Sequence, residues 1–300
     1  MSSLRALVMT LRPHQWVKNL FVAAPLVFSK RLTDPHAALV AALAVGTFCA
    51  LSGAVYALND VIDVDRDRAH PTKRLRPVAR GALSVHGALA WAALLAGSAL
   101  AVAFGLGWYF FLIAAGYLGL NLAYSLRLKE IAYLDVMCIA AGFLLRVLGG
   151  AFAIGVEASI WLLSCTGLLA ALLGLGKRTH ELALAHAQAK EPGGKARTTR
   201  AVLARYKAGH LRVALVTLAF LTSISYVLYT RAVHTIEFFG TTRMLWTAPF
   251  CFVGIMRFLA LVTRHPQGES PTDQMLRDVP FMANLAIWGM AVLFIIYFAP

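Results

Sequence analysis

The chain has 300 residues, 59% of them hydrophobic and only 14% charged, with a mean hydropathy of +0.69 and a formal net charge of +14. Soluble domains are about half apolar and about a quarter charged, so this composition excludes an ordinary soluble globule. Membrane topology and anionic headgroups account for the positive excess without nucleic acid as a partner.

In chain order, Met1–Lys18 lacks the long apolar stretch and small-residue cleavage site of a secretory leader. Leu4, Leu7, Val8 and Leu11 repeat at helical spacing and predict an interfacial helix. Nine apolar stretches then follow, at about 19–31, 37–58, 86–105, 108–125, 133–153, 158–176, 211–230, 244–263 and 281–299. Most have the roughly 17–25 residues that cross a bilayer, but the first is shorter and contains Pro25. The reading is therefore an all-α membrane protein, nine transmembrane helices in a single bundle, with residues 1–300 forming one polytopic domain. Trp16, Trp108, Trp161 and Trp246 fall near predicted span ends, as an aromatic belt places them. Cys49, Cys138, Cys165 and Cys251 lie inside spans without a CxxC pair and read as buried small apolar residues.

Basic residues alternate between loops. The loops at 59–84, around 127–129 and at 177–210 are rich in Lys and Arg. The alternate loops hold only Lys30, Arg31, Arg231 and Arg243. By the positive-inside rule the N-terminus and the basic loops are cytoplasmic. The long loops, 59–84 and 177–210, follow the second and sixth spans, and that parallel suggests two halves facing a shared site. Glu191-Pro-Gly-Gly-Lys195 reads as a turn.

The most informative stretch is Asn59-Asp60-Val61-Ile62-Asp63-Val64-Asp65-Arg66-Asp67. If the second span continues as a helix, Asn59, Asp63 and Asp67 share one face, and Asp60 joins them beside Asp63. Like charges at that spacing oppose helix formation, and charge near the membrane is costlier still. A divalent cation removes the repulsion. Mg²⁺ is commonly held by one or two carboxylates plus substrate phosphates, so the pattern suits a metal–diphosphate. The bland alternative is a solvated acidic loop whose carboxylates pair with Arg66 and Arg68.

Next comes His70-Pro71-Thr72-Lys73-Arg74-Leu75-Arg76-Pro77, a proline-fixed loop whose Lys73, Arg74 and Arg76 suit phosphate oxygens. A positive-inside loop is basic for topological reasons too. Tyr124-Ser125 and Lys129 close the fourth span and Asp135 opens the fifth. Arg146 lies eleven residues on, on the same helical face as Asp135. An in-span Arg faces a cavity or a partner, so these residues read either as substrate contacts or as one deep structural ion pair. Lys177-Arg178-Thr179-His180-Glu181 ends the sixth span. Lys177 and Arg178 would bind phosphate and Glu181 a cation or sugar hydroxyl, or Lys177 and Glu181 form an ordinary helix salt bridge. His180 and His186 read as loop histidines, and Arg205-Tyr206-Lys207 as substrate-binding or topological.

Asn59-Asp60-x-x-Asp63-x-x-x-Asp67 resembles the first Asp-rich motif of the UbiA superfamily of intramembrane prenyltransferases, and the nine predicted spans resemble its fold. Typical members carry a second Asp-rich motif after the sixth span, but no Asp occurs here between Lys177 and His210. In that respect the chain is similar to the decaprenyl-phosphate phosphoribosyltransferase branch. So are Arg12-Pro13-x-Gln15-Trp16-x-Lys18-Asn19, His70-Pro71-x-Lys73-Arg74, Tyr124-Ser125-x-x-Leu128-Lys129 and Gly268-Glu269-x-Pro271 with Asp278. The resemblance implies transfer of 5-phosphoribose from 5-phosphoribosyl 1-diphosphate to a polyprenyl phosphate, with Mg²⁺, at the cytoplasmic face of a bacterial-type inner membrane. Asn59, Asp60, Asp63 and Asp67 would hold the metal. Asp60, Asp63, Lys177 and Glu181 would be catalytic. Lys18, Asn59, Lys73, Arg74, Tyr124, Lys129, Asp135, Arg146 and Arg178 would bind substrate. The rivals are an aromatic prenyltransferase using a prenyl diphosphate, and a transporter. The transporter requires charges near the midplane, where this sequence places only Arg146 and Arg257.

Overall fold

The computed structural model describes residues 3–70, 72–189, 203, 205–264 and 271–298, and these fold only into helices and their connections. The Glu191–Lys195 turn, Pro71 and the Gly268-Glu269 pair fall outside the described residues. The helices are α1 Ser3–Leu11, α2 Ala24–Phe28, α3 Pro35–Ile62, α4 Val64–Arg68, α5 Val85–Leu106, α6 Trp108–Leu126 and α7 Leu134–Ala153. They continue with α8 Ile160–Ala189, α9 Ala208–Arg231, α10 Val233–Phe239, α11 Ala248–Arg264, α12 Pro271–Arg277 and α13 Val279–Phe298. Two compact units result. One comprises Met1–Leu126 and Gly142–Ala158, the other Arg127–Ala141 and Ser159–Pro300.

Among the described residues, eight helices are long and apolar enough to cross a membrane. They match eight of the nine predicted stretches. The predicted helix at 19–31 does not form. Pro13–Ala23 is instead a 3-10 helix, followed by the five-residue α2. Arg12 is left-handed (φ 49°, ψ 64°) ahead of Pro13, and Pro25 stands in the first turn of α2. A residue before proline is pushed away from the right-handed helical region.

This stretch runs antiparallel to α3 along nearly its whole length. Arg12 meets Asp60, Asn19 meets Ser52 and Cys49, Leu26 packs with Ala37 and Ala41, and Arg31 pairs with Asp34. A 3-10 helix rises about 2.0 Å per residue against about 1.5 Å in an α-helix, so few residues cover the distance. The close approach needs Gly150. A Cβ there would lie 1.8 Å from the Val22 carbonyl oxygen. Phe48, Leu51, Phe110 and Tyr117 fill the core beside it.

Helix α8 also departs from expectation. Hydropathy ends the span at 176, but the helix runs on through Lys177 to Ala189. Its continuation, Glu181-Leu-Ala-Leu-Ala-His-Ala-Gln-Ala189, consists mostly of strong helix formers, and charged residues in it do not stop a helix that has left the bilayer. In the second unit α8 packs against α9 and α11 around Leu172, Leu175, Leu211, Phe258 and Val262. Small residues permit close approach where lipid removes the usual hydrophobic drive. A Cβ on Gly176 would lie 2.3 Å from the ring of Phe258.

Candidate active site

In the first unit, the acidic segment does not continue α3 unbroken. Asp63 (φ −96°, ψ 10°) ends α3 and begins α4. The ladder still holds register, with the Asp63 amide donating to Asn59 O at 2.9 Å and the Asp67 amide to Asp63 O at 2.8 Å. Asp60 and Asp67, two turns apart, both turn inward and are buried. Asn59 and Asp63 are partly buried, and Asp65 is exposed.

The cations that meet these carboxylates are not the neighbours anticipated from sequence. Arg12 Nη2 lies 2.5 Å from Asp60 Oδ1. Arg76 Nη1 lies 2.6 Å from Asp67 Oδ2 and 3.4 Å from Asp60 Oδ1. Arg66 stands 3.9 Å from Asp63, and Arg68 is 3.2 Å from the exposed Asp65. Arg12 also lies over the Tyr56 ring, 4.8 Å from its centre. In the sequence Arg12 stands out only within a motif and Arg76 only as one of three loop cations. Arg12 is separated from Asp60 by 48 residues, so no local spacing could reveal the contact.

One cationic atom thus already sits between two buried carboxylates. The donors are hard oxygens, with Asn59 and Asp63 on the same stretch. Among the described residues no three His, Cys, Asp or Glu side chains gather as a closed metal site; the two buried carboxylates suit instead a divalent cation of the Mg²⁺ type, which takes one or two carboxylates and leaves positions for phosphate oxygens. Lys73 and Arg74 are exposed beside it on a single 3-10 turn, Lys73–Leu75. Lys18 donates to Gln15 Oε1 at 2.5 Å.

Deeper in this unit, Arg146 is buried. It donates to Asn19 Oδ1 at 2.8 Å, Gly142 O at 3.0 Å and Tyr117 OH at 2.6 Å. Its guanidinium lies over the rings of Tyr117 and Phe143. The shared helical face of Asp135 and Arg146 therefore does not make an ion pair of them.

Asp135 belongs to the second unit, where its partner is Arg178, at 2.6 Å with both side chains fully buried. Arg178 also pairs with Glu181, three residues on. Glu181 thus has Arg178 as a partner, a contact that the Lys177–Glu181 helical spacing does not suggest. The Tyr206 hydroxyl donates to Asp135 Oδ1 at 2.5 Å and accepts from the Tyr133 amide at 2.8 Å. Burial and the bond to Asp135 push the Tyr206 phenol well above its ordinary range, so it remains a donor. Tyr124, Lys129 and Lys177 are partly buried. Arg257, the other in-span cation, lies 2.7 Å from Asp278.

Helical segments of membrane-spanning length and a buried acidic cluster at the end of one of them define a multi-pass integral membrane protein with an enzyme-like polar site. Residues 19–285 match the UbiA prenyltransferase family, and the chain belongs to that family as a transferase of the UbiA superfamily. It is 36% identical over 210 residues to the decaprenyl-phosphate phosphoribosyltransferase of Mycolicibacterium smegmatis, covering 69% of this chain and 64%, just under two thirds, of that relative. It is 31% identical over 307 residues to the enzyme of the same name from Corynebacterium glutamicum, covering 98% of this chain and 87% of that one. Among solved structures, a UbiA homolog from Archaeoglobus fulgidus bound to DMAPP and Mg²⁺ aligns over 97% of this chain and 99% of that one. Its TM-score is 0.70 at 19% identity, a likeness of fold.

Proposed function

We propose that the protein transfers 5-phosphoribose from 5-phosphoribosyl 1-diphosphate to a polyprenyl phosphate of the decaprenyl type, in a Mg²⁺-dependent reaction at the cytoplasmic face of a bacterial-type inner membrane. The observation that carries this reading is likeness along 98% of the chain to a relative of that name. The cationic Lys177-Arg178-x-x-Glu181, where many superfamily members have a second acidic motif, supports it.

Asn59, Asp60, Asp63 and Asp67 would hold Mg²⁺, which when bound offsets the charge developing on the departing diphosphate. Asp60 and Asp67 set the depth of that site because burial fixes them. Lys73 and Arg74 bind donor phosphate oxygens by charge-assisted hydrogen bonds. In the second unit, Lys129 and Lys177 serve as phosphate-binding cations and Glu181 accepts from a sugar hydroxyl. Arg178 and Asp135, buried and mutually neutralised, position Glu181 rather than meet substrate. Lys18, Tyr124 and Arg146 bind or frame the substrates. In the reaction the C1–O bond to diphosphate breaks, and an oxygen of the lipid phosphate forms the new bond to C1. That oxygen is already anionic, so no strong base is required, and positioning with electrostatic stabilisation supplies the catalysis. The antiparallel course of Pro13–Phe28 along α3 supports a ninth crossing. It leaves Arg12 and Asp60 at the same end of α3, on the cytoplasmic side assigned by the positive-inside rule.

The test is to incubate purified protein and Mg²⁺ with labelled 5-phosphoribosyl 1-diphosphate and polyprenyl phosphate, and to identify the lipid product by mass spectrometry. The expected product is a polyprenyl phosphoribosyl phosphate with released diphosphate. The second reading is prenyl transfer to an aromatic acceptor; the Archaeoglobus homolog of like fold was solved with a prenyl diphosphate, DMAPP, and Mg²⁺. Product only from a prenyl diphosphate and an aromatic acid would replace the first reading with the second.

A further inference from the structure

Four charges meet at the end of α3. Asp60 and Asp67 are two anions; Arg12 and Arg76 are two cations, and the quartet is neutral. The two signs differ sharply in access. The carboxylate side chains are 1% and 4% exposed, while those of Arg12 and Arg76 are 22% and 25% exposed. The anions are therefore fixed at depth and the guanidiniums form the reachable side. An arriving ion meets the arginines first, and the arginines are the groups with room to move.

Arg76 Nη1 lies 2.6 Å from Asp67 Oδ2 and 3.4 Å from Asp60 Oδ1, in the position a shared cation between those oxygens would take. It arrives from the extended stretch after the Lys73–Leu75 turn (φ −62°, ψ 146°), not from a helix. Arg12 is placed by a left-handed residue between α1 and the 3-10 helix, with the Tyr56 ring as a second contact. Each therefore sits on a connection whose side chain can turn while the carboxylates stay.

We propose that Arg12 and Arg76 are exchangeable counter-ions of this acidic pair. They neutralise Asp60 and Asp67 when no divalent cation is bound, and they turn to diphosphate oxygens when one is. This rests on the metal–diphosphate reading of the site given above. Charge arithmetic then demands coupling. A dication alone leaves the partly buried cluster with two uncompensated positive charges, an unfavourable state in low dielectric. Diphosphate more than offsets that excess, and guanidinium matches its oxygens bidentately. Cation and diphosphate accordingly bind better together than separately, and neither is retained well alone. Fixed structural salt bridges would leave only the coupling that direct metal–diphosphate contact gives, and removing either arginine would not tighten the metal bound alone.

The test uses full-length protein in detergent, Mn²⁺ as the metal and inorganic pyrophosphate as the anion. Bound Mn²⁺ is read by electron paramagnetic resonance, with Mn²⁺–pyrophosphate complexation in solution subtracted. In wild-type protein pyrophosphate should tighten Mn²⁺ binding by a factor in the range of about 5 to 150, the usual size of ligand coupling. Arg76→Gln should bind Mn²⁺ alone about 10-fold more tightly than wild type and lose most of the coupling, since the competitor is gone. Arg76→Lys, which keeps the charge, should stay near wild type, and Arg12→Gln should shift in the same direction as Arg76→Gln. If Arg76→Gln fails to fold, Arg12→Gln carries the comparison. The proposal is overturned if the folded glutamine variants bind Mn²⁺ alone no tighter than wild type, or if pyrophosphate leaves wild-type Mn²⁺ affinity unchanged. Wild-type protein that binds no Mn²⁺ with or without pyrophosphate would instead overturn the metal–diphosphate site itself.

Discussion

The Arg178 guanidinium Nε lies 2.6 Å from Asp135 Oδ2, with both side chains fully buried. The pair joins α8 to the first turn of α7. Tyr206 occupies the other Asp135 oxygen, and Glu181 takes another nitrogen of Arg178. A buried pair is not strong evidence of net stabilisation, but breaking it strands a charge. Asp135→Ala should therefore destabilise the protein by about 3–5 kcal/mol, read as a lower unfolding temperature in detergent. The double variant Asp135→Leu, Arg178→Met should recover much of that loss, because it leaves no fully buried charge stranded; Glu181 loses Arg178 but is partly exposed to solvent. A double variant as unstable as the single one would show that the pair does more than neutralise itself.

Asp60→Asn and Asp67→Asn address the acidic pair. Each keeps the shape and removes one anion from the proposed Mg²⁺ site. Transfer should fall by about 10²-fold or more, the scale for losing one element of electrostatic stabilisation at a reacting centre. Extra Mg²⁺ should restore part of the activity if affinity is the loss. The melting temperature separates this from unfolding, since Arg12 and Arg76 each lose a partner. Either variant retaining full transfer would place the leaving-group site elsewhere.

Gly150→Leu tests the path of the 3-10 helix. A Cβ at 150 meets the Val22 carbonyl at 1.8 Å, and backbone cannot swing aside as a side chain can. Overpacking usually costs about 1–3 kcal/mol and sometimes more, and the upper end is expected here. Gly105→Leu, where nothing lies within 4 Å of the added Cβ, is the control and should melt close to wild type. Equal effects at both positions would contradict the packing described.

Asp278 supplies a pH test at the start of α13. It accepts from the Phe281 amide at 2.8 Å as an N-cap and bonds Arg257 Nη2 at 2.7 Å. The arginine bond, aided by the amide, holds its carboxyl below the usual range. A lowered folded pKa means that the unfolded chain binds the proton more readily. The stabilisation is thus complete above the unfolded value of about 3.9 and is lost as pH falls through the folded one. Asp278→Ala should cost about 0.5–2 kcal/mol at neutral pH through the cap. The gap to wild type, followed by thermal unfolding, should narrow below about pH 4. A gap that widens in acid would refute the assignment.

Most span positions were legible because long apolar runs have few structural alternatives in a bilayer. The stretch at 19–31 misled because an unbroken α-helix is not the only way to cover the distance, and prolines at 13 and 25 favour a tighter, faster-rising path. The end of α8 was set too early because hydropathy marks where a helix leaves lipid, whereas helix propensity marks where it stops.

By itself the sequence determined the class of protein, the eight spans that the structure reproduces, and the acidic segment at Asn59–Asp67 as the place to look. These depend on composition and on local periodicity, which need no knowledge of what lies opposite. Only the tertiary structure decided partners. It placed Arg12 and Arg76 on Asp60 and Asp67, gave Asp135 to Arg178 rather than Arg146, and set Arg178 against Glu181 as well. Helical spacing states which residues share a face. It does not state which cation from another part of the chain will reach that face, because that choice is settled by how the helices pack.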